Sequence, residues 1–339
     1  MTIVYDASEL NEISVLMRWR GTIMAMVLTR PVIWILVGIH YLFLHLHLET
    51  DIEMPKLPWP IVTVPTALLT FFLVFYSGNC FARYYALYGK CMAMNGAVMS
   101  WVGLCRVFFN SASSETLWNL SRHMLASVYV QYFALGGDAS DGGKLITETE
   151  WAIIMRNRML SEHERQQVAA YAGFKPFLLQ CWALQTVNEH LASDAKRAAG
   201  AGIGPFQAQA FALRQDCSDV VNTLAQPVPF PYFHVVTFML SINLVLVAYA
   251  LIFFNTYVSV PCYFVTCLVM QGLKEVAVAL SDPFGGDDVD FPTHEYMSAM
   301  LDNAKALISR DAVYRPGTYL DLPPNKVAIG QMAGGASQA

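Results

Sequence analysis

Pro231 to Phe254 reads PYFHVVTFMLSINLVLVAYALIFF, and Val258 to Leu280 reads VSVPCYFVTCLVMQGLKEVAVAL. The first stretch contains no Asp, Glu, Lys or Arg. About 20 mostly apolar residues suffice, as a helix, to cross the hydrocarbon core of a bilayer. The breaker run Pro227-Val228-Pro229-Phe230-Pro231 precedes the pair, and only Asn255 to Tyr257 separate its members. The two stretches therefore read as a helical hairpin inside a membrane. Towards the N-terminus lie two more candidate spans, about 22–48, with Arg30 and Pro31 inside it, and about 61–84.

Composition agrees. Of 339 residues, 55% are hydrophobic and 14% charged, against about 25% charged in soluble domains. The mean hydropathy is +0.40. A net charge of −5 with no basic stripe argues against a nucleic-acid partner. The seven cysteines form no C-x-x-C pair and lie mostly in apolar stretches, where cysteine behaves as a small hydrophobe. The polar, acidic start at Met1 to Asn11 does not read as a signal peptide.

Between the second and third spans the chain becomes polar and rich in charge. About 85–224 is helical by pattern, with Glu115 to Phe133 at helical spacing and Ser161-Glu162-His163-Glu164 as a capping-box start. Ala199 to Gly204 reads as a connector. Arg18, Arg20 and Arg30 stand near the start of span one, while Glu49 to Lys56 is acidic. The positive-inside rule then puts both termini and the region 85–224 in the cytosol. The residues 326–339 read as a disordered tail.

Four groups of residues invite a functional reading. After span four comes Ser281-Asp282-Pro283-Phe284-Gly285-Gly286-Asp287-Asp288-Val289-Asp290-Phe291, with four acidic residues in nine positions. A hard cation such as calcium takes six to eight oxygens from carboxylates and carbonyls, and a helix end offers free carbonyls. The alternative is a solvated acidic loop. In span two, Ala67, Phe71 and Phe75 fall on one helix face. They are either lipid-facing packing or, in an oligomer, the wall of a narrow apolar neck that gates by dewetting. His40, His45 and His47 cluster near the outer end of span one, and read as interface histidines rather than a metal site. Lys274 and Glu275 fall late in span four and read as snorkelling to the cytosolic interface. No P-loop, G-x-S-x-G or H-E-x-x-H is present, so the chain is not read as an enzyme.

The acidic run resembles the calcium-clasp signature of bestrophins, N-P-F-G-x-D-D-D-D-F in animal members. Met1-Thr2-Ile3-Val4-Tyr5, Arg18-Trp19-Arg20-Gly21-Thr22-Ile23, and Phe75-Tyr76 followed by Arg83-Tyr84-Tyr85-Ala86-Leu87-Tyr88 resemble further landmarks of that family, in the same order. The similarity runs over about 1–325. It implies an all-α membrane protein with four transmembrane helices per subunit and a large helical cytosolic region (85–224 and 281–325). It also implies a homopentamer around one central pore. The implied function is a calcium-gated channel for chloride and, by extension, bicarbonate, with one Ca2+ per subunit. By position, Asp287 and Asp290 would give side-chain oxygens to calcium, and Ala279, Asp282 and a residue near Leu10 backbone carbonyls. Ala67, Phe71 and Phe75 would form the neck, and Phe206 the cytosolic aperture. Val289 interrupts the acidic run, Asp282 replaces an asparagine, and Ala67 replaces a bulky aliphatic. The competing readings are a calcium-independent bestrophin-like channel, a non-conducting calcium-binding scaffold, and a membrane enzyme holding a cation in the acidic loop. The expected location is the plasma membrane, with an endomembrane or chloroplast membrane as alternatives.

Overall fold

Apolar runs punctuated by prolines become helices that begin at those prolines. The computed structural model describes residues 15, 18–19, 21–50, 54–135, 145–193, 202–286 and 288–309. Among them are eleven α-helices and no strand. They are α1 (Ile23–Leu28), α2 (Pro31–Glu49), α3 (Pro60–Phe108), α4 (Ser114–Leu135), α5 (Glu148–Arg156) and α6 (Glu162–Ala170). Then follow α7 (Lys175–Ser193), α8 (Gly204–Ala225), α9 (Phe230–Ile252), α10 (Ser259–Ser281) and α11 (Thr293–Ile308). Pro31 and Pro60 each stand at the first helical position, and Pro231 in the first turn of α9. Proline is pre-organised there and its missing N–H is not needed.

Four helices, α2, α3, α9 and α10, are long and apolar enough to cross a membrane. At most 33% of each apolar stretch is buried within the chain. That much outward apolar surface suits lipid or a partner copy, not water. The hairpin expected at 231–280 is present as α9 and α10, turned at Asn255, whose φ is 52°.

Two expectations are corrected. The first span is not one helix over 22–48: α1 and α2 are separated at Thr29-Arg30, with Arg30 extended at φ −85°, ψ 127°. Pro31 causes the break, because it disfavours helical backbone in the residue before it. The freed Leu28 carbonyl accepts the Trp34 indole N–H at 2.9 Å. The second span does not give way to a separate helical region at residue 85. Instead α3 continues for 49 residues, about 74 Å at 1.5 Å per residue.

This long helix joins two packed layers. In the membrane layer, Leu69 packs with Leu240, Leu244, Tyr263 and Cys267. Lower on α3, Leu73, Tyr76 and Cys80 meet Val236 and Ala277. Beyond that, the same helix forms the spine of a helical body, burying Leu87, Met94, Trp101 and Cys105 against α4, α8 and α11. Phe284, Phe291 and the apolar face of α11 close this core. The Ser161/Glu164 capping box expected from sequence opens α6, and a second one, Thr147/Glu150, opens α5.

Candidate functional site

One side of α3 is packed and the other is open. Leu69, Leu73, Tyr76 and Cys80 are buried, while Ala67, Phe71 and Phe75 face outward. Phe71 is 61% and Phe75 58% exposed, and their rings lie 5.7 Å apart. The open side continues below the apolar stretch through Gly78, Ala82, Ala86, Gly89, Ala93, Gly96 and Ser100, all exposed. These positions recur every three or four residues, so they stay on one face of a helix with 3.6 residues per turn. No atom lies within 4 Å of the point where a Cβ would stand on Gly78, Gly89 or Gly96.

At the foot of α10 the acidic loop folds back on itself. The Phe291 N–H donates to the Pro283 carbonyl at 2.9 Å, which brings both ends of the loop together. Phe284 and Phe291 turn inward, their rings 5.4 Å apart, and Phe291 lies 4.7 Å from Tyr84. The Tyr84 hydroxyl donates to the Val289 carbonyl at 3.1 Å. Arg83 Nε donates to the Ser281 carbonyl at 2.9 Å, and its Nη1 to the Gln226 carbonyl at 2.6 Å. One side chain of α3 thus ties the ends of α8 and α10 together at the boundary between the two layers. Nothing local in the sequence announces these contacts; the only signal is Arg83 itself, the first charge after the apolar run beginning at Pro60.

Of the expected calcium ligands, Asp290 is 6% exposed, with Oδ2 3.3 Å from the point where a Cβ on Gly285 would stand. Glycine there leaves room for the carboxylate. Asp282 stands at the end of α10, where its Oδ1 accepts the Phe284 N–H at 3.4 Å. Ala279 lies on the last turn of α10. Asp287 and Leu10 lie outside the described residues. Among the described residues no group of three His, Cys, Asp or Glu side chains gathers. Among the described residues Asp290 is the one buried carboxylate, and Gly285 leaves room beside it.

Phe206 is a correction. It is fully buried inside the chain, its ring 5.1 Å from Trp101 and 5.6 Å from Phe108. A ring enclosed by its own subunit is packing core and lines no aperture. The charged pair in span four also differs from expectation. Glu275 bonds Lys274 at 3.2 Å and reaches Arg30 at 3.5 Å across the α1–α2 break. Lys274 is mutually satisfied with its neighbour rather than extended to the interface. His40 is buried, with Nδ1 3.0 Å from the Ala248 carbonyl and Nε2 3.2 Å from Ser259 Oγ, and His45 Nδ1 lies 3.1 Å from the Tyr257 hydroxyl.

In the body, Arg122 grips both Glu164 oxygens at 2.7 Å, and His123 Nε2 lies 3.0 Å from Glu164 Oε1. Burial works against the Glu164 carboxylate, but Arg122, the Ser161 N–H and His123 outweigh it and hold the carboxyl well below the usual range. Burial, and the Arg122 charge, push the His123 imidazole down against the pull of Glu164.

Residues 3–306 match the family described as "Bacterial/Fungal Bestrophin protein". No curated protein sequence matches the chain. Among solved structures, one variant of a bacterial bestrophin homologue from Klebsiella pneumoniae superposes with a TM-score of 0.71 at 15% identity, covering 82% of this chain and 98% of that one. A second variant of that homologue gives 0.69 at 15% identity, covering 81% and 97%. A third structure of it gives 0.68 at 15% identity, covering 82% and 96%. At that identity the likeness carries the fold, and the family match carries the rest. With the family matched from residue 3 to residue 306, the chain belongs to the bestrophins, a family of membrane anion channels and not of enzymes.

Proposed function

We propose that copies of this chain assemble as a pentamer around one axis and conduct chloride and bicarbonate along the open side of α3. The observation that carries this reading is the unbroken exposed face from Ala67 to Ser100. Its upper part is aromatic and its lower part has mostly small residues, with Tyr85 exposed among them. An outward face on a helix otherwise packed at both levels needs a covering, and around an axis it becomes a wall. Phe71 and Phe75 form the narrow, dewettable part, and their ring edges carry partial positive charge that suits an anion. Below them the glycines and alanines leave a wide vestibule.

Gating by calcium is the finer proposal. Asp290 and Asp287 would hold the ion by side chains, with Ala279, Asp282 and a carbonyl near Leu10 completing the shell. When bound, the cation supplies two positive charges that join the loop to the N-terminal segment. Arg83 and Tyr84 carry the state of the loop into α3. The loop biases the neck only if it binds one neck state better than the other. The N- and C-termini face the cytosol, and the plasma membrane is the proposed site. A second reading, a calcium-independent pore, draws on one observation: Arg83, Tyr84 and the Phe291–Pro283 bond tie the loop to α3 and to itself.

The test is purified protein in a planar bilayer under a chloride gradient, with free calcium stepped from chelated to micromolar. Anion current that rises with calcium, and ignores it in an Asp287→Ala/Asp290→Ala double variant, supports both parts. Current indifferent to calcium keeps the pore and removes the clasp. A reversal potential at the cation equilibrium, or no current at all, overturns anion conduction.

A further inference from the structure

Arg158 sits where a side chain is least welcome. Its φ is 55°, in the left-handed region that glycine and asparagine tolerate best. The residue ends α5 in a defined pattern: the Arg158 N–H donates to the Met155 carbonyl at 2.9 Å and the Met159 N–H to the Ile154 carbonyl at 3.2 Å. Helices that stop this way usually place glycine at the left-handed position. Nothing in the packing explains the arginine. Its side chain is exposed, and among the described residues neither Arg158 nor Arg156 has a carboxylate within ion-pair distance. Backbone strain retained at an exposed, unpaired charge points to a use for that charge.

Both arginines open onto a groove of about 970 Å³ between the start of α4, the α5–α6 turn and the end of α11. Lys305 on α11 reaches Asn157 Oδ1 at 3.4 Å and adds a third cation. Arg122 also lines the groove, but its charge is committed to Glu164. Among the described residues the only carboxylate on the wall is Glu115. Three uncommitted cations therefore face one acid, on a chain whose net charge is −5. Trp118, whose indole N–H donates to the Arg158 carbonyl at 3.1 Å, fixes the turn from the apolar wall.

The groove lies well away from the loop at the foot of α10. From the loop at the foot of α10, α11 runs 16 residues along the body, about 24 Å, and the groove lies at its far end. That exceeds the screening length of about 8 Å at physiological salt. We propose that the groove binds a small soluble polyanion carrying two or more phosphate or carboxylate groups, held by Arg156, Arg158 and Lys305. The site is separate from the α3 face, so the proposal stands or falls independently of conduction.

The experiment uses detergent-solubilised full-length protein in calcium-free buffer, with inorganic pyrophosphate as probe. Binding is read by calorimetry and by thermal shift, against sodium chloride at equal ionic strength. Pyrophosphate should raise Tm by linkage where chloride does not. Arg158→Gly and Arg158→Asn should fold at least as stably as the parent, since both suit the left-handed backbone. Each should weaken pyrophosphate binding about tenfold, the worth of one charge-assisted contact, while Arg158→Lys retains most of it. A thermal shift that chloride reproduces, or affinity undiminished in the Gly and Asn variants, overturns the proposal.

Discussion

Ile23 Cβ lies 3.1 Å from the point where a side chain on Gly272 would begin. That is too close for comfort, so glycine in mid-α10 is what lets α1 lie flat against it. Gly272→Val should therefore push α1 away and cost about 1–3 kcal/mol, the usual range for overpacking; a melting temperature in detergent equal to the parent's would refute it. Glu164 is the second informative residue. Its carboxyl is depressed in the folded state, so its contribution is present above the unfolded value of about 4.3 and fades as pH falls below it. His123 is depressed too, so its contribution is full above about 6.5 and fades as pH falls from there towards its lower folded value. The body should thus weaken in two acid stages. Thermal melts from about pH 8 down to about pH 2 would resolve them, and Glu164→Gln should lose the lower stage at a cost of about 2 kcal/mol near neutrality.

At the scale of elements, α3 makes the sharpest prediction. Gly96 lies on its open face with nothing near a would-be Cβ. Gly96→Leu should not destabilise the subunit, since leucine is the better helix former, yet it should cut conductance by filling the vestibule. A variant with unchanged Tm and unchanged current would place that face away from the ion path. Phe75→Ala should do the reverse and raise current in chelated calcium. The apolar face itself was legible, because Ala67, Phe71 and Phe75 are four apart and the hairpin announces itself by run length. The extent of α3 was not. The change from apolar to polar residues near Arg83 marks a change of surroundings, and a helix does not end where its solvent does. The break before Pro31 was visible as a residue but needed Arg30's backbone to show its effect. Phe206 could not be placed from sequence, since its burial depends on Trp101 and Phe108, far along the chain. The acidic loop was legible as a motif, whereas its clamps, Arg83 to Ser281 and Tyr84 to Val289, join residues about 200 apart in sequence.

Among the described residues most of the exposed large apolar side chains lie on the four spans, including Trp34, Phe71, Phe75 and Phe238. Mass photometry of the purified protein should find a particle of five chains of 37.7 kDa each, plus detergent; a monomer would leave the α3 face without its covering. The closure of the body has another consequence, for synthesis. Most of the body is encoded before α9, but its core is completed by Phe284, Phe291, Met297 and Leu301, which are encoded after α10. A nascent chain emerging N-terminus first therefore carries an unfinished domain until the last two spans have entered the bilayer. Insertion and folding become one event: a ribosome that stops before residue 284 leaves Tyr84 without the ring packed against it, a wet seam on which quality-control factors can act.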